Sequence, residues 1–231
     1  LYTLWDIGLK VGHSTRSVDE CLRQAKADWT ICTALLETRY IWGDKSLFSE
    51  LRTRFRKSIV AGREMDFLEA KLAERDERHE RMGDSRYVVE PNVKDGKGGL
   101  RDLHTLYWIG KFIHRVRAAA ELVDVGLFTP AEYRSFRRAE NFLLAVRSHM
   151  HVLTGRAEDR LTFDLQRRIA ERMNFAERPG KSSVERFMQF YFLQAKRVGS
   201  LTGIFLAHID EQFEAKTARR GFFAGWKQKA R

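Results

Sequence analysis

The sequence predicts a mainly α chain: a short β/α stretch over residues 1–44, a helical bundle over 45–215, and a basic tail over 216–231. Three observations predict this class. Beyond Lys45 the apolar residues recur at helical spacing, as in Leu103, Leu106, Tyr107, Ile109, Phe112 and Ile113. Before it, two short apolar runs, 7–11 and 36–42, stop at Gly12–His13 and at Gly43–Asp44 in the manner of strands. Capping residues also stand where periodic runs begin, notably Ser17 with Glu20 three positions on and Thr129 just before Pro130.

In chain order, residues 7–11 predict a first strand and 17–27 an amphipathic helix. Residues 29–42 are rich in β-branched and aromatic types; they could begin helically, but 36–42 reads best as a second strand. A strand–helix–strand unit this short rarely stands alone, so its sheet neighbours are expected from residues outside this chain or from a partner. Residues 46–60 and 63–81 predict a helical pair with a break near Gly62, and 100–120 a long helix. Thr129 then caps a helix running to about residue 153, with Pro130 in the first turn, where its missing amide costs nothing. A shorter helix follows over 163–172, then a Pro-Gly loop over 174–181, then a last long helix from Ser182 or Ser183 to about residue 213. There is no internal repeat and no low-complexity segment.

The 231 residues, 43% apolar and 32% charged, are those of a soluble globular protein with ample length for a core. No run of 18 uncharged apolar residues occurs, and Asp6 and Lys10 interrupt the first segment too early for a signal peptide. Neither a membrane nor an export route is therefore expected. Two cysteines, Cys21 and Cys32, cannot build a disulfide framework, which points to a reducing, cytoplasmic setting. The formal charge of +11 favours anionic partners. The basic residues are interspersed with acids, however, and no zinc finger, RNA-binding sheet motif or helix-turn-helix accompanies them, so nucleic acid is not expected. The chain lacks an initiator methionine and begins as if inside a packed element, and it reads as a piece of something longer.

Four groups of residues could carry chemistry. Glu37 and Arg39 lie two apart on the second expected strand and would share a face, as an edge salt bridge or as a carboxylate and its holder at a phosphate site. One carboxylate alone does not make a divalent-metal transfer site. His13 and Ser14, with Arg16 close by, follow the first expected strand and are either turn residues or ligand contacts. The loop within 87–105 carries Lys94, Lys97, Gly98 and Gly99 directly ahead of a helix that opens on Arg101 and Asp102. Glycines permit close backbone approach, and helix-start amides receive anions. The spacing is not that of a P-loop, so composition leaves a phosphate cradle and a demanding structural turn both open. Asp102 suits a helix start under either reading. His149 and His151 lie on different helical faces and make poor joint metal ligands, and neither cysteine has a partner at zinc-ligand spacing. The aromatics of 187–192 fit a buried helical face.

The order of residues says more than their composition. EPNVKDGKGGLRDLHTLYWIGK closely resembles the signature that follows the catalytic domain in the bacterial bifunctional PII uridylyltransferase/uridylyl-removing enzymes. The preceding LWDIGLKVGHSTRSVDECLRQAKADWTICTALLETRYIWGD looks like the second half of their nucleotidyltransferase domain. LTGRAEDRLTFDLQRRIAERMNF and SSVERFMQFYFLQAKRVGSLT look like their following helical domain, so the resemblance covers nearly the whole chain in order.

That resemblance implies a polymerase-β-like domain transferring UMP from UTP to a tyrosine of the PII signalling protein, with Mg2+ held by an Asp-x-Asp pair and a third acid on a later strand. The third acid maps onto Glu37, as catalytic residue and metal ligand, with Asp28 as the second choice. His13, Ser14, Arg16 and Arg39 would line the nucleotide site, and Lys94 and Lys97 would meet phosphate or the PII surface. Gly98, Gly99, Arg101 and Asp102 would form the junction between the catalytic and helical domains. The Asp-x-Asp pair is expected upstream. The hydrolase domain that removes UMP, and two regulatory domains that sense glutamine, are expected downstream. The fragment alone would then be inactive and hold no metal. An alternative is a non-catalytic helical scaffold or PII-docking module. An adenylyltransferase acting on glutamine synthetase is disfavoured, since that family usually has Glu where His104 stands.

Overall fold

The computed structural model describes residues 2–217, with side chains described to residue 213; the expected basic tail lies almost wholly outside these residues. They form ten α-helices: α1 (Tyr2–Asp6), α2 (Val18–Ala27), α3 (Trp29–Leu36), α4 (Lys45–Phe55), α5 (Glu64–Arg81), α6 (Leu100–His114), α7 (Glu121–Asp124), α8 (Pro130–Thr154), α9 (Phe163–Arg172) and α10 (Ser183–Thr217). The mainly α class holds. The two strands do not. Among the described residues β pairing is limited to isolated bridges between Asn92 and Arg160 and between Arg178 and Lys181.

The chain divides into two compact units, meeting in sequence between Phe67 and Leu68. In the first, Ser17 accepts a hydrogen bond from the Glu20 amide and starts α2 as its spacing predicts. Asp28 then closes α2 and opens α3, its carboxylate accepting from the Thr30 amide at 2.6 Å and the Ile31 amide at 3.2 Å. This cap commits the β-branched run to helix, inside which the Thr33 hydroxyl donates back to the Trp29 carbonyl. The run from Leu36 to Trp42 is thereby split. Leu36 ends α3, Glu37 is its C-cap, and the residues beyond form an irregular segment with Ile41 and Trp42 exposed. Residues 9–17 are also irregular, so the expected strand over 7–11 is absent. A strand must find a ladder partner for its amides, and neither run has one among the described residues. Beyond α4 the helix widens into a π-helical turn, Arg56–Val60, and the expected break falls at Gly62, whose φ is +79°. Leu22, Ala25, Cys32, Phe55, Ile59 and Phe67 are buried here, and the Arg63 guanidinium lies 4.3 Å over the Trp29 ring.

In the second unit α10 packs against α8, α9 and α6, and α8 against α6 and α9. The buried residues recur at helical spacing: Leu103, Leu106, Ile109 and Phe112 on α6, Leu143, Val146 and Met150 on α8, and Phe187, Tyr191, Val198 and Phe205 on α10. The expected 100–120 helix ends earlier, at His114, where Arg115 turns left-handed with φ +62°. Thr129 caps α8 in a full capping box with Glu132, Pro130 occupies the first turn, and α9 has the predicted bounds. No described helix is long and apolar enough to cross a membrane.

Candidate functional site

The loop ahead of α6 is held from three directions within the second unit. Its entry is tied to the segment before α9: the Leu161 amide donates to the Pro91 carbonyl, the Val93 amide to the Asp159 carbonyl, and buried Gln166 donates to the Val89 carbonyl. Its glycines serve close approach. A side chain on Gly98 (φ +82°) would come within 2.6 Å of the Ala195 carbonyl on α10, and one on Gly99 within 2.8 Å of the Gly96 and Val93 carbonyls.

From Val93 to Asp102 every amide but that of Lys97 has an acceptor within the protein, which answers the question that composition left open. Asn92 Oδ1 accepts from the amides of Lys94 and Asp95, and the Asn92 carbonyl from Gly96. Gly98 donates to Asp102 Oδ2 and Gly99 to the Gly96 carbonyl. The first amides of α6, on Leu100, Arg101 and Asp102, donate to the carbonyls of Val93, Lys94 and Gly99. The helix start that could have received an anion is capped by the loop's own backbone. The glycines make a structural turn, and its amides do not form a phosphate cradle.

Asp102 is the anchor. It is 4% exposed, ion-paired with Arg78, and its Oδ1 lies 2.9 Å from His79 Nε2, both partners being on α5. Burial pushes its carboxyl up, but the His79 hydrogen bond and charge, the Arg78 charge and the Gly98 amide together outweigh it and hold the group below its ordinary value. Arg78 also donates to the Asp95 carbonyl at 3.2 Å. Arg101 lies 3.6 Å from Asp95 and stacks 5.4 Å over Trp108. These contacts of Arg101 and Asp102 lie inside the second unit.

Both loop lysines are partly neutralised. Lys97 Nζ is 2.6 Å from Asp84, while Lys94 Nζ lies 3.5 Å from Asp95 and 3.8 Å from Asp159. Asp159 is the hub of a second cluster with Arg147 at 2.6 Å and His151 at 3.4 Å. Burial raises its carboxyl, but Arg147, His151 and Lys94 lower it further than burial raises it. Sequence reading missed this cluster because its members lie on α8 and in separate loops. It singled out Lys94 and His151 separately, and the Ala-Glu-Asp-Arg stretch only within the resemblance.

In the first unit, His13, Ser14 and Arg16 lie exposed on the irregular segment before α2, and Glu37 and Arg39 are exposed beyond α3. Glu37 and Arg39 do not share a strand face, since no strand forms there. Asp28 spends its Oδ1 as a double helix cap. Among the described residues no group of three His, Cys, Asp or Glu is placed to hold a metal ion. By themselves these residues do not fit a magnesium site.

A family model described as GlnD PII-uridylyltransferase matches residues 66–206, well over half of the chain. The bifunctional uridylyltransferase/uridylyl-removing enzyme of Novosphingobium aromaticivorans is 69% identical over 224 residues, covering 97% of this chain and 24% of that enzyme. The enzyme of the same name from Erythrobacter litoralis is 66% identical over 231 residues, covering 100% of the chain and 25% of the enzyme. That of Rhodopseudomonas palustris is 62% identical over 218 residues, covering 94% and 23%. The chain thus spans about a quarter of the length of the curated relatives it matches. No solved structure matches it. The matched region contains the self-capped loop, its Asp102 anchor and nearly all of the helices that receive it, and on that match the chain belongs to the GlnD PII-uridylyltransferase family.

Proposed function

We propose that this chain is part of a cytoplasmic enzyme that transfers UMP from UTP to a tyrosine of the PII signalling protein, and that the whole enzyme also removes the UMP by hydrolysis under the control of glutamine. The observation that supports this reading is the match of the chain along its entire length to bifunctional enzymes of that name. In this reading the first unit lends exposed polar groups to the transfer site: Glu37 as a carboxylate, with Arg39, His13, Ser14 and Arg16 as contacts to the nucleotide. The second unit supplies a stiff helical body, its Asp102-anchored loop holding Lys94 and Lys97 in fixed positions.

The test is UMP incorporation into PII by the full-length protein that contains this chain, with Glu37→Gln beside it. Losing one preorganised charged group from a transfer site should lower incorporation by about a hundredfold or more. The 231-residue chain alone should give none. Transfer that is unchanged in Glu37→Gln would remove Glu37 from the site. Capture of PII by the chain without dependence on UTP, together with full transfer by that variant, would favour a docking module instead.

A further inference from the structure

The second unit contains a cavity of about 250 Å³ where the end of α5, the loop ahead of α6 and the segment before α9 meet. Arg81, Arg86, Lys97 and Arg160 line it, with Ser85 and one carboxylate, Glu90. Glu90 is already occupied: one oxygen accepts from Arg160 at 2.9 Å and the other from the Phe163 amide at 3.0 Å. Lys97 is balanced by Asp84, which is not among the lining residues. Four cations therefore stand against two carboxylates.

Among the described residues Arg86 makes no salt bridge, and the carboxylate whose charge it feels, Asp84, is already paired with Lys97. The Arg86 Nε is buried and has no hydrogen-bond acceptor among the described residues. The guanidinium lies flat against α10 at Gly199, where a side chain would come within 2.5–2.8 Å of it. A buried charged donor without an acceptor is unfavourable. Ser85 accepts from the Tyr87 amide, which leaves its hydroxyl proton to donate.

We infer that this cavity is a binding site for a di- or triphosphate chain, recognised by side-chain cations and not by the loop amides, all of which but that of Lys97 are already bonded. A carboxylate ligand brings one charge per group. A pyrophosphate unit brings several in a volume that a cavity of this size accommodates, and the planar fork of arginine matches phosphate oxygens. No aromatic residue is among the lining residues, so the site has no platform for a base and should not distinguish nucleotides. This inference does not depend on the transfer reaction proposed above.

Isothermal titration calorimetry of the 231-residue chain with inorganic pyrophosphate, UTP and ATP, at matched ionic strength, tests it. All three should bind, and Arg86→Gln and Arg160→Gln should each weaken all three by about tenfold. Glu90→Gln should bind as well or better. Arg160 is exposed, so Arg160→Gln decides the matter if Arg86→Gln fails to fold, which circular dichroism would show. Absence of binding at matched ionic strength, binding that both variants leave intact, or binding of UTP without pyrophosphate would each overturn the assignment.

Discussion

Asp102 shows how one residue fixes a segment that composition alone leaves ambiguous. Its carboxylate accepts from the Gly98 amide within the loop and pairs with Arg78 and His79 on α5, so it joins two elements that are distant in sequence. Removing one member of such a buried pair strands the other, and Asp102→Asn should cost about 3–5 kcal/mol. Because the folded group sits below its ordinary value of 3.8, the folded state takes up the proton less readily than the unfolded one. Its contribution is complete above that value and is lost as pH falls through the lower folded value. Urea unfolding at pH 7 and at acid pH checks both points: the acid destabilisation seen in the wild type should shrink in Asp102→Asn. An identical pH dependence in the two proteins would place the acid-sensitive group elsewhere.

Among elements, the loop ahead of α6 tolerates least. Gly98 combines a left-handed backbone with direct contact against the Ala195 carbonyl, so Gly98→Ala should cost about 2–5 kcal/mol from strain and overpacking together. Thermal unfolding followed by circular dichroism would measure it, and a loss below about 1 kcal/mol would mean that α10 yields at Ala195. Helices of this kind were legible in the sequence wherever period and cap agreed: Ser17 before α2, Thr129 and Glu132 at α8, and α9 from end to end. The errors have identifiable causes. Residues 29–42 carry strand-like side chains; Asp28 caps their first half into the helix that the sequence left open, and α3 takes Leu36, so the strand expected over 36–42 does not form. Helix α6 stops at His114, short of its periodic pattern, at a left-handed Arg115 that no glycine announced. The glycines ahead of α6 could be seen in sequence, but their purpose could not, since the carbonyls they approach include Ala195, almost a hundred positions away. The Asp159 cluster and the Arg86 cavity were hidden for the same reason: each is assembled from segments that only folding brings together.

At the scale of the whole chain, the net charge of +11 does not reduce to an evenly basic surface. Much of the basic content is matched locally, as in Arg54 with Asp19 and Glu50 on the first unit, and Arg147 and Lys94 with Asp159 on the second. The imbalance that matters is the one concentrated around Arg86. A different map of the molecule follows from the loop that bonds its own amides. Amide hydrogen exchange should divide the chain otherwise than secondary structure does. The irregular segments over 10–16 and 39–43 should take up deuterium at once, while the equally non-helical amides of Gly96, Gly98 and Gly99 should resist as long as the core of α6. Lys97, whose amide donates to no group among the described residues, should be the early exchanger inside that protected stretch. Fast exchange at Gly98 and Gly99 would show that the loop opens apart from the helix it starts. Slow exchange would make the glycine-rich turn, despite its composition, one of the last parts of the second unit to unfold.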